Sequence, residues 1–322
     1  MPTILLEVSL IPDALALLDG FDVRGPEPRI ASPDVDLRGV HAIIISSLPL
    51  IDAAFLERAP DLRIVGRPGI GIDNIVVSDC TAAGVLVVHT PDAPTESTAE
   101  HTVALIFGVA RKLVTADAGL RTGGWASPRG PLLGMDLRGK TLGVVGLGRI
   151  GGRVAQIMGA GVGMRVVGYD PYTAPERAAS LGVSLVPSFD DLLRQADVLT
   201  LHSPATAETR HLMNAAAFAA MKPGALLVNC SRGPVIDEAA LLDALNSGQV
   251  GAAGLDVFDP EPPLPGNPLL THPNVLVTPH IASFTVEGVR GMHIGVAEEV
   301  AAALRGERPR WLVNGAAWPA RP

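Results

Sequence analysis

The sequence predicts an α/β protein of two doubly wound parallel sheets, with one domain inserted into the other. Three observations predict it. Short apolar bursts alternate with amphipathic stretches, as strands buried between two helical layers do. The alternation restarts, more densely, at Lys140. A long helical pattern, Val286–Leu304, then carries the chain back towards the first domain. The expected boundaries are 1–97 with 288–322 for the smaller, discontinuous domain, and 98–287 for the inserted one. At 322 residues, 48% hydrophobic and 18% charged, the chain is long enough for two cores.

In the first domain, residues 4–8, 42–46, 62–66 and 85–89 read as short buried strands, and 12–18 and 51–58 as helices. Ser97 and Glu100 form a capping-box pattern that opens a helix towards Leu113, where the chain first crosses between domains. In the second domain, residues 141–145, 166–169, 198–201, 225–229, 254–257 and 275–278 read as strands. Helices are expected at 150–158, after Ser188, and from Asp237 through Leu245, where Gly248 ends the last of them.

Composition narrows the function. A net charge of −8 gives no general attraction to nucleic acid or to an anionic membrane. Cys80 and Cys230 make no disulfide framework and have no metal-ligand spacing, so no metal is expected and a reducing, cytoplasmic setting is. The N-terminus has no secretory pattern, and no apolar run reaches membrane-spanning length.

Gly146, Leu147, Gly148, Arg149, Ile150 and Gly151 follow a strand and open a helix. Gly146 permits a tight turn, Gly148 lets backbone approach a pyrophosphate, and Gly151 lets the helix sit close to the strand. The helix N-terminus then offers free N–H groups to phosphate. Asp170 ends the next strand, where a carboxylate accepts hydrogen bonds from the adenosine ribose hydroxyls and repels a 2′-phosphate. NAD is therefore the expected cofactor.

Three further residues stand just past strand ends, where ligands of open α/β sheets bind: Arg232, Glu261 and His280. Reduction of a 2-keto acid needs a proton donor, which a histidine supplies near neutral pH. A carboxylate on its other ring nitrogen fixes the tautomer. A guanidinium clamps a substrate carboxylate. Taken singly, each has a duller explanation: a surface ion pair, a solvated loop, a structural histidine. Successive strand ends of one nucleotide-binding sheet make the joint coincidence the weaker reading.

At these residues the chain resembles the D-isomer-specific 2-hydroxyacid dehydrogenases. The resemblance rests on the 146–151 turn, Met221-Lys222-Pro223-Gly224, Asn229-Cys230-Ser231-Arg232-Gly233, Gly254-Leu255-Asp256-Val257-Phe258 with Glu261-Pro262, and Thr278-Pro279-His280-Ile281-Ala282. It extends upstream through Gly66-Arg67-Pro68-Gly69-Ile70-Gly71-Ile72-Asp73-Asn74 and Ala99-Glu100-His101-Thr102. It implies a Rossmann NAD-binding domain inserted in a smaller flavodoxin-like substrate domain, closing to exclude water. It implies His280 as acid/base, Glu261 as its partner, Arg232 as substrate anchor, and D stereochemistry. His202, Ser203, Pro204, Thr209, Cys230, Ser231 and Ser283 match cofactor-lining positions, and Asp256 one near the carboxamide. Gly69, Ile70 and Gly71 match the loop whose N–H groups grip the substrate carboxylate. A homodimer is implied, with residues 121–135 around Trp125 the place to look for its contact.

Some positions depart from the family. Val76 stands where an acid is frequent. Ser46, Ser47, Leu48 and Pro49 stand where phosphoglycerate-oxidising relatives usually carry an arginine, and those relatives often add a regulatory domain for which this chain is expected to be too short. Formate-oxidising relatives carry glutamine at position 261. A small non-phosphorylated acid, of the glyoxylate or hydroxypyruvate kind, is therefore expected. The alternative is a dinucleotide-sensing binding protein of the same fold, like the corepressors that share it.

Overall fold

The computed structural model describes residues 1–47, 49–125 and 130–318. They divide into two compact units: unit 1, Met1–Pro94 with Phe284–Pro322, and unit 2, Thr95–Ser283.

Unit 1 begins β1 (Thr3–Leu6), α1 (Pro12–Ala16), β2 (Asp22–Arg24), β3 (Ala42–Ile44), α2 (Ala53–Arg58), β4 (Ile64–Arg67), α3 (Val77–Ala82) and β5 (Leu86–His89). The five strands pair in the order β2-β1-β3-β4-β5, all parallel. Side chains alternate between the faces of the sheet, and the two cores follow. Ile4, Leu6, Ala42, Ile44 and Ile64 enter one apolar layer; Leu5, Ile43, Ile45 and Val65 enter the other. Three-residue β2 at the edge and six-residue α3 lack an apolar run long enough to read in the sequence.

Unit 2 comprises α4 (Thr95–Ala110), α5 (Leu113–Arg121), β6 (Thr141–Val145), α6 (Arg149–Gln156), β7 (Arg165–Tyr169), α7 (Pro175–Ser180), β8 (Ser184–Leu185), α8 (Phe189–Gln195), β9 (Val198–Leu201), α9 (Ala215–Ala220), β10 (Ala225–Asn229), α10 (Glu238–Ser247), β11 (Val250–Leu255) and β12 (Val275–Val277). Its parallel strands run β12-β11-β10-β9-β6-β7-β8. The chain then returns to unit 1 through α11 (Val286–Leu304).

Several caps follow the local chemistry. Ser188 Oγ accepts from Asp191 N at 3.1 Å, Asp237 accepts from the N–H groups of Ala239 and Ala240, and Gly248 ends α10 in the left-handed region. Other expectations need correction. Helix α4 starts at Thr95, so Ser97 lies buried inside its first turn instead of preceding it. The helix also stops before Lys112, whose φ of 51° separates it from α5. Strand β11 begins at Val250, four residues before the expected start. Gly251, Ala252 and Ala253 are weak strand formers, but the segment pairs with β10 on one side and β12 on the other. Asp256 is thereby the first residue past the strand.

Candidate active site

In unit 2 the strand order reverses at β6: β7 and β8 extend one side, β9 to β12 the other. A reversal of this kind leaves a crevice at the carboxyl ends of the central strands. The 146–151 turn lies there. Gly146 has φ +85°, and a Cβ on it would sit 2.7 Å from the His202 carbonyl oxygen. A Cβ on Gly151 would fall 2.0 Å from the Gly146 oxygen. On Gly148 it would meet nothing within 4 Å, so that side is open to a ligand. Gly148 is also the N-cap of α6 and supplies no side-chain capping bond. The first turn of α6 therefore presents the positive end of the helix dipole to an anion without a capping side chain in the way.

The loop after β9 forms the neighbouring wall. Ser203 is buried, and its Oγ has no hydrogen-bond partner among the described residues. A buried hydroxyl of this kind calls for a ligand or water. Together, the open glycine and the orphaned hydroxyl fit a dinucleotide. Thr209 Oγ1 donates to the Pro204 carbonyl at 2.6 Å and closes the loop. His202 Nε2 lies 3.0 Å from Thr200 Oγ1, and burial pushes the ring down to about 3, so it is neutral at pH 7.

Asp170 follows β7. Its Oδ2 accepts from Leu147 N at 2.8 Å and Thr173 Oγ1 at 2.9 Å, and its Oδ1 from Tyr172 N at 2.8 Å. Burial pulls its pKa upward, but the bonds from Leu147, Tyr172 and Thr173 outweigh that and hold the carboxyl below its ordinary range. Tyr172 Oη donates to Glu208 Oε2 at 3.1 Å, so a second carboxylate stands near Asp170. Sequence reading missed Glu208, because nothing in its spacing links it to Asp170.

Strands β10, β11 and β12 are adjacent and parallel, which brings Arg232, Glu261 and His280 to one edge. His280 Nδ1 lies 2.7 Å from Glu261 Oε2, while Glu261 Oε1 accepts from Phe258 N at 3.0 Å. Nε2 is then the ring atom that faces a ligand's proton. His280 itself holds φ +54°, a sparsely populated region for a residue with a Cβ. Its N–H donates to the Asp256 carbonyl at 2.8 Å. The Asp256 carboxylate accepts from Thr278 Oγ1 at 2.6 Å and from the N–H groups of Ile281 and Ala282, each at 2.9 Å. Asp256 is fully buried, with His101 Nε2 3.5 Å away. Burial raises its pKa, but His101, Thr278 and the two N–H groups lower it further and keep it ionised. The resemblance placed Asp256 beside the carboxamide; here its carboxylate staples the turn that carries His280.

Buried Asn229 shapes the turn of Arg232. Its Oδ1 accepts from Ser231 N at 2.9 Å and Ser231 Oγ at 2.7 Å, and its Nδ2 donates to the Arg232 carbonyl at 2.9 Å. A Cβ on Gly233 would lie 1.8 Å from the Phe258 oxygen, so this turn rests directly on the segment leading to Glu261. Cys230 is buried, and burial pushes its thiol up to about 12; it is an apolar wall, not a thiolate. Ser283 is the last residue of unit 2.

In unit 1, Gly69 has φ +137°, and a Cβ there would lie 2.7 Å from Arg67 Nη1. Gly69 N donates to Thr90 Oγ1 at 2.7 Å, and the Ile70 oxygen lies 3.0 Å from His89 Nδ1. The turn through Gly71 is therefore fixed beside the guanidinium of Arg67, to which the sequence reading gave no role. One strand across, Ser46 N donates to Glu7 Oε2 at 2.5 Å, and Asn74 Nδ2 donates to the Ser46 carbonyl at 3.1 Å. Leu48 lies outside the described residues. Among the described residues, no group of three His, Cys, Asp or Glu side chains is placed to hold a metal, and no helix is long and apolar enough to cross a membrane.

Comparison with known proteins agrees with this geometry. The family model "D-isomer specific 2-hydroxyacid dehydrogenase, NAD binding domain" matches residues 103–282. The D-3-phosphoglycerate dehydrogenase of Mycobacterium tuberculosis is 45% identical over 314 residues, 95% of this chain and 58% of that protein. The chain spans about half the length of the curated relatives it matches. The TT0316 protein of Thermus thermophilus is 37% identical with a TM-score of 0.87, over 97% of this chain and 99% of that one. An NADPH-dependent glyoxylate/hydroxypyruvate reductase of Sinorhizobium meliloti, solved with NADP and malonate, is 32% identical with a TM-score of 0.87, over 100% and 99%. With an NAD-binding domain matched over more than half its length and a full-length structural relative, the chain belongs to the D-isomer specific 2-hydroxyacid dehydrogenase family.

Proposed function

We propose that the protein is an NAD-dependent oxidoreductase acting at C2 of a small, non-phosphorylated D-2-hydroxy or 2-keto acid. The observation that carries this reading is the 2.7 Å pair of His280 and Glu261 on the sheet edge that also holds the Arg232 turn and the open glycine turn. When bound, NADH supplies the hydride. His280 Nε2 gives a proton to the substrate oxygen, and Glu261 fixes the tautomer and stabilises the charged ring. Arg232 clamps the substrate carboxylate and polarises the keto group. In unit 1, the N–H groups of Ile70 and Gly71, with Arg67 against Gly69, make a turn that suits a substrate carboxylate. Asp256 positions His280 through its turn.

Gly146, Gly148, Arg149, Ile150 and Gly151 take the pyrophosphate, and Asp170 takes the ribose. His202, Ser203, Pro204, Thr209, Cys230, Ser231 and Ser283 line the rest of the cofactor. The stretch from Ser46 to Pro49, where phosphate-handling relatives usually carry an arginine, supports an unphosphorylated substrate. The exposed apolar side chains of Leu113, Val114 and Leu120 on α5 support a homodimer, and the two buried free cysteines support a reducing cytoplasm. Replacing His280 with alanine is expected to lower kcat/KM for NADH-linked 2-keto acid reduction by ~10²–10⁴-fold. NADH affinity, followed by fluorescence, should stay near the native value. An unchanged rate removes His280 from the mechanism. NADH binding without turnover of any 2-keto acid leaves a binding protein instead.

A further inference from the structure

Glu7 stands just past β1, and its backbone N–H donates to the Ile44 carbonyl at 2.8 Å, extending the pairing with β3. It is 6% exposed, although a carboxylate is among the groups least often found inside. Its Oε2 accepts from Ser46 N at 2.5 Å. Strands β1, β3 and β4 are neighbours and parallel, so Glu7, Ser46 and the 69–71 turn share one carboxyl edge of the sheet. Two strand spacings separate β1 from β4, about 10 Å, and the Glu7 side chain reaches across one of them to Ser46.

We propose that Glu7 is a specificity-determining residue that accepts a hydrogen bond from a hydroxyl on the substrate carbon next to the keto group, and that excludes a phosphate ester there. The inference rests on the dehydrogenase reading and names its substrate class: 3-hydroxy-2-keto acids. A carboxylate has about four acceptor sites, and the Ser46 N–H fills only one of them. A hydroxyl donates; a phosphate dianion cannot, and it is repelled by the same charge. The Ser46 N–H that would otherwise serve a phosphate is already given to Glu7. One strand spacing, about 4.8 Å, separates the ends of β4 and β3, a distance comparable to a three-carbon acid held by its carboxylate at the 69–71 turn and reaching towards Ser46 and Glu7.

The test measures kcat/KM with NADH for hydroxypyruvate, pyruvate and 3-phosphohydroxypyruvate in the native protein, Glu7→Leu and Glu7→Gln. The native protein should rank hydroxypyruvate first. In Glu7→Leu the hydroxypyruvate-to-pyruvate ratio should fall about 10-fold or more, the loss of a hydrogen bond to a charged group. In Glu7→Gln, which keeps an acceptor but no charge, the ratio of phosphorylated to free hydroxypyruvate should rise. Circular dichroism of each variant, to which the helices of both units contribute, reports whether it is folded. If Glu7→Leu does not fold, the glutamine variant decides alone. Unchanged ratios in a folded variant overturn the role of Glu7 and leave the dehydrogenase standing. A native protein that turns over none of the three acids overturns both.

Discussion

At the scale of single residues, the site depends on a few carboxylates whose partners decide what each one does. Asp170 is held by three protein donors and stays ionised, so it presents a fixed negative charge beyond β7. Asp170→Ala is expected to lower affinity for NADH by roughly 10–100-fold, the worth of hydrogen bonds to a charged acceptor, while NADPH loses far less. Paired titrations of the two nucleotides check this, and equal losses for both would remove Asp170 from nucleotide choice. Asp170, Arg232, Glu261 and His280 were legible because each follows an apolar burst within a few residues. Asp256 was legible as a position but not as a staple, since its partners Thr278, Ile281 and Ala282 lie in the turn after the next strand. Glu7 and Glu208 carry no local signal at all.

At the scale of elements, short strands and glycines do most of the positioning. The Gly146 and Gly151 contacts show that β6 and α6 meet at backbone distance, which is why any side chain there would clash. Helix α5 stands apart, because none of its residues is buried. Leu113, Val114 and Leu120 are each more than half exposed. A nine-residue helix has little stability of its own in water, and the homodimer proposed above places a second copy over this face. Leu113→Glu with Leu120→Glu should halve the molar mass measured by light scattering. A native protein that is already monomeric would remove α5 from any interface. The adjoining residues 126–129 of the segment expected to meet a partner lie outside the described residues.

At the scale of the whole molecule, acid is the condition that should unfold it. Burial pushes His202 from its ordinary 6.5 to about 3, so the unfolded chain binds a proton there that the folded chain refuses. The stability this represents is complete above pH 6.5 and lost as pH falls from 6.5 towards 3. Asp197, Asp170 and Asp256, all lowered in the folded protein, add losses as pH falls below their ordinary 3.8. Glu299 runs against the trend, since burial raises it. Urea midpoints measured from pH 7.5 to 4.5 should decline, and His202→Gln should flatten the decline by an amount on the order of a few kcal/mol at its acid end. An identical slope in that variant would mean that residue 202 is not the buried base.

The sequence by itself determined the two parallel sheets, the insertion of one domain in the other, the glycine turn and the three strand-end residues proposed for catalysis. Those features are written in periods and intervals: alternation for strands, caps for helices, polar residues just past strand ends. Only the tertiary structure decided where β11 begins, that Asp256 anchors the His280 turn, that Arg67 lies against Gly69, and that Glu7 meets Ser46. Each of these depends on which strands become neighbours. Hydrogen bonds reach only about 3 Å, so residues far apart in the chain find their partners only once the sheet order is set.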